Sequence, residues 1–283
     1  MKKLLLTLFI GLISFAYANV NVVVSILPQK TFVEAIGGDK VNVSLMVKPG
    51  NSPHSYEPKP SQMKNIAKAD IYFAMGVEFE HAWLVKFKNQ NKKMDIIHLD
   101  KGISKIKIEA HSHNDHNDRH EHENLDPHIW TSPSNVKIIA KNIYKALVSK
   151  DQEKASYYKA NYEKFLKHIK NTDKQIKTIL INLDTNSKFM VFHPAWGYFA
   201  KDYGLTQLAI EAGGKNPKPK QVMHLIYEAK KEGVKAVFTA PEFSEKVAKQ
   251  IAKEVGVPVV KISPLNPKWS QNLIKLAKAI ANK

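Results

Sequence analysis

With 283 residues the chain is long enough for one large domain or two of ordinary size. It has no cysteine, which excludes a disulfide framework, a zinc–thiolate site and a lipid-modified cysteine. The formal charge of +17 invites a nucleic-acid reading. However, the lysines are spread along every segment, with no dense basic run interleaved with aromatics, so the charge reads as a solvated surface and no nucleic-acid partner is expected.

Residues 1–18 read as a cleavable signal peptide. Lys2 and Lys3 form a positive start, Leu4 to Phe15 an apolar run too short to span a bilayer comfortably, and Ala16-Tyr17-Ala18 a peptidase site before Asn19. No second long apolar stretch follows. The expectation is a periplasmic monomer with no stable membrane insertion once the signal is removed.

Val20 to Leu27 is a β-branched run read as a buried strand ending at Pro28. Thr31 to Ile36 suggests a helix stopped by Gly37-Gly38, and Val41 to Val47 a second strand closed by Pro49-Gly50. Pro60 opens a helix with Met63, Ile66 and Ala67 on one face, followed by a strand at Ile71 to Met75. A helix around Glu80 to Lys88 and a strand at Ile96 to Leu99 continue the alternation, and Pro133 opens a further helix. This order points to a mainly parallel sheet flanked by helices, an N-terminal α/β lobe over 19–150.

Residues 109–126, EAHSHNDHNDRHEHENLD, break the pattern with almost no apolar side chains and read as a mobile His-rich loop. From 151 to 184 a single apolar stripe (Tyr158, Tyr162, Phe165, Ile169, Ile176, Leu180, Leu183) predicts one rigid linker helix, a rod of roughly 45–50 Å. A C-terminal α/β lobe over 185–283 follows. Its strands are predicted at Phe189 to Phe192, Ala236 to Thr239 and Pro258 to Ile262. Its helices are predicted near Tyr198 to Tyr203 and at Lys220 to Glu232, Glu245 to Val255 and Ser270 to Asn282. The expected fold class is therefore α/β, two lobes joined by one long helix.

Three histidines share one structural setting. His54 lies between a predicted strand and the helix opened by Pro60, His128 lies just before Pro133, and His193 ends the strand KFMVF. Ligands of open α/β sheets bind at the carboxyl ends of the strands, so these three could converge from both lobes onto one ion. The spacing alone does not establish that convergence. His81, His98, His168 and His224 lack companions and read as surface or locally bonded residues.

The segments PGNSPHSYEPKPSQMKNIAKADIYFAMG, DPHIW, HPAWGYFAKDYGL and PEFSEKVAKQIAKEVGVPVVKISPL, in this order, resemble the cluster A-I metal-binding proteins of ABC transporters, and within them the ZnuA-type zinc-uptake branch. The resemblance spans nearly the whole chain beyond the signal. It implies a periplasmic protein that captures Zn2+ in an interlobe cleft and delivers it to an inner-membrane ABC zinc permease. It also implies that His54, His128 and His193 are the metal ligands. Three imidazoles suit Zn2+, whereas Mn2+ prefers oxygen-rich sites. Where the family carries an acid after the strand VPVVKI, this chain has Ser263. Water, Glu78 or Glu80 could complete the tetrahedron, with Glu242 a further candidate.

The loop reverses the charge of the chain: Glu109, Asp115, Asp118, Glu121, Glu123 and Asp126 stand against Arg119. With His111, His113, His116, His120 and His122 it reads as a weak accessory site for divalent cations, the ordering of a loop costing affinity. Three histidines and water also form a catalytic zinc arrangement. Yet no H-E-x-x-H, Ser nucleophile elbow or Gly-rich phosphate loop occurs, so no enzymatic activity is expected.

Overall fold

The computed structural model describes residues 19–108, 125–211 and 216–282. The signal segment 1–18 and the histidines of 111–122 lie outside the described residues.

Two four-stranded parallel sheets form the molecule. The first has strands β1 (Val20–Val24), β2 (Val41–Leu45), β3 (Ile71–Ala74) and β4 (Asp95–His98), in the order β2-β1-β3-β4. The second has β5 (Lys188–Val191), β6 (Thr206–Ala209), β7 (Val237–Thr239) and β8 (Val259–Lys261), in the order β6-β5-β7-β8. Each sheet thus reverses its winding beside its first strand, the place where an open α/β sheet leaves a crevice. Helices cover both faces of the sheets, so the central strands are the most buried: all four residues of β3 are buried, whereas the edge strands β4 and β8 are partly exposed.

Helices α1 (Leu27–Gly37), α2 (Pro60–Lys68) and α3 (Glu78–Gln90) belong to the first sheet, followed by α4 (Pro133–Lys150) and α5 (Ala155–Leu180). The second sheet carries α6 (Gly197–Tyr203), α7 (Pro219–Lys231), α8 (Lys246–Val255) and α9 (Trp269–Ile280). Prolines open several of them, since the first turn has no intrahelical acceptor to lose. That corrects one reading: Pro28 starts α1 rather than stopping a long strand, and β1 ends at Val24. At the other end, Gly256 closes α8 with φ of 81°, a left-handed turn open to glycine.

α5 is 26 residues long and about 39 Å, shorter than the stripe predicts because its entry turn at Gln152–Lys154 is a 3-10 turn and the helix ends at Leu180. Its buried face (Tyr158, Phe165, Ile169, Thr172, Ile176, Leu180) follows the predicted stripe. α9 crosses back to pack on α5 and α1, with Trp269 edge-on to Phe32 at 5.6 Å. Trp269 Nε1 donates to the Trp130 carbonyl at 2.7 Å and Trp130 Nε1 to the Pro264 carbonyl at 2.8 Å, so the two sheets are knitted together beside the crevice.

β6 is absent from the sequence-based expectation. It is four residues long and half polar, and Gln207 within it is buried because its side-chain oxygen accepts from Trp196 N–H at 3.0 Å. The end of the predicted mobile loop also differs. Leu125 bridges Lys107, and Asp126 N–H donates to the Ile106 carbonyl at 2.8 Å, so residues 125 and 126 belong to the folded body.

Candidate metal centre

Most polar residues of the crevice follow the carboxyl end of a strand. His54 lies in the loop from β2 to α2, and Glu78 opens α3 just after β3. His193 and Glu211 follow β5 and β6, while Glu242 and Ser263 follow β7 and β8. His128 enters from the short turn before α4. The three histidines named from sequence do meet: each offers a ring nitrogen, all within 4.8 Å of one another.

The geometry of the rings is specific. His54 Nε2 lies 3.0 Å from His193 Nε2, and His193 Nε2 lies 3.2 Å from His128 Nε2. The opposite nitrogen of each ring faces a carboxylate. His54 Nδ1 is 2.8 Å from Glu78 Oε1, His128 Nδ1 2.7 Å from Asp126 Oδ1, and His193 Nδ1 2.5 Å from Glu211 Oε1. A carboxylate accepts only, so each dyad fixes the Nδ1–H tautomer and turns an Nε2 lone pair inward. Three lone pairs pointed at one another repel unless a cation lies between them. Ligands 2.0–2.1 Å from a tetrahedral ion stand about 3.3 Å apart, close to the spacings seen here.

Packing holds the rings in place. Phe243 stacks on His193 at 4.6 Å, and Trp130 lies 5.3 Å from His128. The His128 side chain is 3% exposed and that of His193 10%, against 29% for His54, so the centre opens toward solvent on the His54 side. Burial is the main influence on His193 and pushes its pKa down to about 4, against the pull of Glu211, which keeps the ring neutral near neutral pH. Burial also acts on His54, but the Glu78 hydrogen bond and charge together outweigh it and raise its pKa. The space enclosed at the centre is about 10 Å³, room for roughly one water-sized sphere.

The acids named from sequence fall in different places. Glu78 is spent on His54 Nδ1, on the outer side of the ring, so it orients a histidine instead of joining the inner cluster. Glu80 is turned into the N-terminal lobe. Its carboxylate accepts from Met75 N–H at 2.9 Å and Gly76 N–H at 2.7 Å, and from the Ser25 hydroxyl, and it is 1% exposed. Helical spacing separates the two: glutamates two residues apart on α3 face different ways. Ser263 donates to Glu242 Oε1 at 2.8 Å, and Glu242 lines the same small space as the histidines. Asp126 and Glu211 escape a reading of the sequence. Asp126 falls at the end of the polar insert, although it stands two residues before His128. Glu211 follows β6, the strand that the sequence does not announce.

Among the described residues, no helix is long and apolar enough to cross a membrane. The profile of the family "ZnuA: Zinc-uptake complex component A periplasmic" matches residues 22–283. A zinc-binding protein, AdcA, of Streptococcus pyogenes is 31% identical over 93% of this chain; the chain spans 56% of that protein's length. A crystal structure of ZnuA superposes with a TM-score of 0.85 at 39% identity, covering 93% of this chain and 98% of the other. A manganese ABC transporter substrate-binding lipoprotein, PsaA, of Streptococcus anginosus is 27% identical over 79% of this chain and 73% of its own length. Fold, site and profile agree that the chain belongs to the ZnuA family of metal-binding, substrate-binding proteins of ABC transporters.

Proposed function

We propose that this protein binds Zn2+ through the Nε2 atoms of His54, His128 and His193 and delivers it to an ABC-type zinc permease of the inner membrane. It would do so in the periplasm, as a monomer exported through a cleavable signal at 1–18, and without catalysing a reaction. The observation that carries the reading is the convergence of three inward lone pairs, each fixed by a carboxylate on the far nitrogen. Similarity supports zinc in one relative and manganese in another, so the donor set has to decide. Three neutral imidazoles form a borderline-soft, low-coordinate set that favours Zn2+ over Mn2+. The histidines His111, His113, His116, His120 and His122 are proposed to hold further Zn2+ weakly, outside this centre.

Zinc titration of the full chain, of His54→Ala and of a deletion of 111–122, with bound metal counted by native mass spectrometry, tests both parts. The expected result is one tight site lost in His54→Ala and only weak sites lost in the deletion. Retention of the tight site in His54→Ala, or its displacement by equimolar Mn2+ in the full chain, would refute the zinc reading.

A further inference from the structure

Glu242 and Ser263 flank the histidine cluster without taking part in it. They follow adjacent strands, β7 and β8, at the carboxyl edge of the second sheet. The Ser263 hydroxyl accepts from Leu265 N–H at 3.0 Å and donates its only proton to Glu242 Oε1 at 2.8 Å. One carboxylate oxygen is thereby fixed. The other, Oε2, is buried and accepts from no described residue. A buried carboxylate oxygen without a donor is costly, so its place in the fold calls for a ligand.

The surroundings say which ligand. Glu242 lines the space of about 10 Å³ that holds the three histidines. It also lines an outer groove of about 340 Å³, together with Lys48, Pro241 and Ser263. Glu242 therefore stands in the partition between the centre and the groove. It is not a member of the inner cluster: among the described residues, the three imidazoles form the only group of three or more such donor atoms within 4.8 Å of one another. An acid just outside such a cluster reaches the ion through water. A carboxylate oxygen bonded to a zinc-bound water lies about 4 Å from the metal.

Resting on the three-histidine reading above, we infer that Glu242, held by Ser263, accepts a hydrogen bond from the water that completes the coordination of the bound ion and so closes the centre toward the outer groove. Glu242 is then a positioning residue for the fourth ligand, and Ser263 positions Glu242. Loss of either leaves the ion on three imidazoles with a freely exchanging water.

The test uses the full chain with Glu242→Gln and Ser263→Ala, read by three measurements: zinc affinity in chelator competition, the visible spectrum of the Co2+-loaded protein, and the melting temperature of the metal-free protein. In Glu242→Gln the amide oxygen can still accept from Ser263, so this variant removes the charge while keeping the loop bond. Its expected effect is a 10- to 100-fold loss of zinc affinity, about the usual range for a lost outer-shell partner. An altered Co2+ spectrum and an unchanged metal-free melting temperature complete the expected result. Ser263→Ala should weaken zinc binding in the same direction by less. Zinc affinity within twofold of the parent and an unchanged Co2+ spectrum in Glu242→Gln would overturn the inference. So would a lower metal-free melting temperature with affinity intact, which assigns the pair a structural role alone. Failure of the underlying reading shows separately: if His54→Ala also keeps the tight site, the centre is elsewhere and this inference falls with it.

Discussion

The carboxylate behind His193 offers the sharpest perturbation. His193 sits between the other two rings, with its Nε2 3.0 Å from that of His54 and 3.2 Å from that of His128. Its tautomer rests on Glu211, whose side chain is 5% exposed and whose Oε1 accepts a hydrogen bond from Nδ1–H at 2.5 Å. In Glu211→Gln the amide oxygen can still accept that hydrogen bond, but the charge that makes the imidazole a better donor is lost. The amide can also rotate, and its NH2 group would then favour the other tautomer and place an N–H against the ion. Glu211→Leu removes the acceptor altogether and leaves a buried N–H unpaired. Lost outer-shell partners of metal-bound histidines cost about 10- to 100-fold in affinity, or about 1.4–2.8 kcal/mol. The glutamine should fall near the lower limit and the leucine at or beyond the upper one. Competition with a zinc chelator at fixed pH and salt measures both. If both variants bind zinc within twofold of the parent, the carboxylate does not set the ring, and the argument from converging lone pairs fails.

Gly197 gives a test that touches no ligand: a Cβ there would meet Asp126 Oδ2 at 2.9 Å and Gln207 Nε2 at 3.2 Å, displacing the acid that holds His128. Gly197→Ala should lower zinc affinity several-fold by the same titration, and unaltered binding would show that Asp126 has slack. Glu80 predicts a pH effect on stability. Burial raises its pKa from 4.5 to about 7, so the native state holds a proton that the unfolded state has released over this interval. Its contribution is full below about pH 4.5 and is lost as pH rises through about 7, an upper figure of about 3 kcal/mol. Glu80→Gln should flatten the fall in metal-free stability between pH 5 and 8; an identical pH profile in the two proteins would contradict it. Ser132 caps α4 by accepting from Asn135 N–H at 3.1 Å and donates to Asp202 at 2.6 Å. Ser132→Ala should therefore cost about 1–2 kcal/mol and lower the melting temperature by a few degrees.

What the sequence makes legible follows from where its signals are local. The two parallel sheets can be read because strands buried on both faces are continuous apolar runs and proline marks the start of helices such as α2 and α4. β6 stays hidden because its burial depends on Trp196 and β5, which the run TQLA does not announce. The histidines can be named by their loops and by resemblance, yet their roles as an inward-facing set depend on partners distant in sequence. Glu211 is 18 residues from His193, and its pairing is a consequence of β5 lying beside β6. The fourth position illustrates the same limit. The resemblance leads one to expect an acid at the end of β8, where Ser263 stands; the acid that lines the space is Glu242 at the end of β7, joined to that serine by a hydrogen bond. Residues one strand apart are neighbours in space but carry no mark of it in sequence.

The ties between the two sheets bear on how an ion could leave. Trp130 to Pro264, Trp269 to Trp130, Tyr198 to the Asp126 carbonyl at 2.8 Å and Ser132 to Asp202 all run between the two sides of the crevice or behind it. Each such bond contributes about 0.5–1.5 kcal/mol, and unpairing a buried tryptophan N–H costs more than its bond is worth. Swinging the sheets apart would break these together, and α5 would have to bend mid-helix as well. Movement at His54 avoids both penalties. Its loop, Pro49 to Lys59, has no strand or helix of its own, its side chain is the most exposed of the three, and its carboxylate partner Glu78 is 41% exposed. His128, by contrast, receives its carboxylate from a buried segment tied by three further hydrogen bonds. The fold therefore makes His128 and His193 rigid and His54 displaceable, and a partner that pulled on the His54 loop would reduce the cluster to two imidazoles without unfolding either sheet.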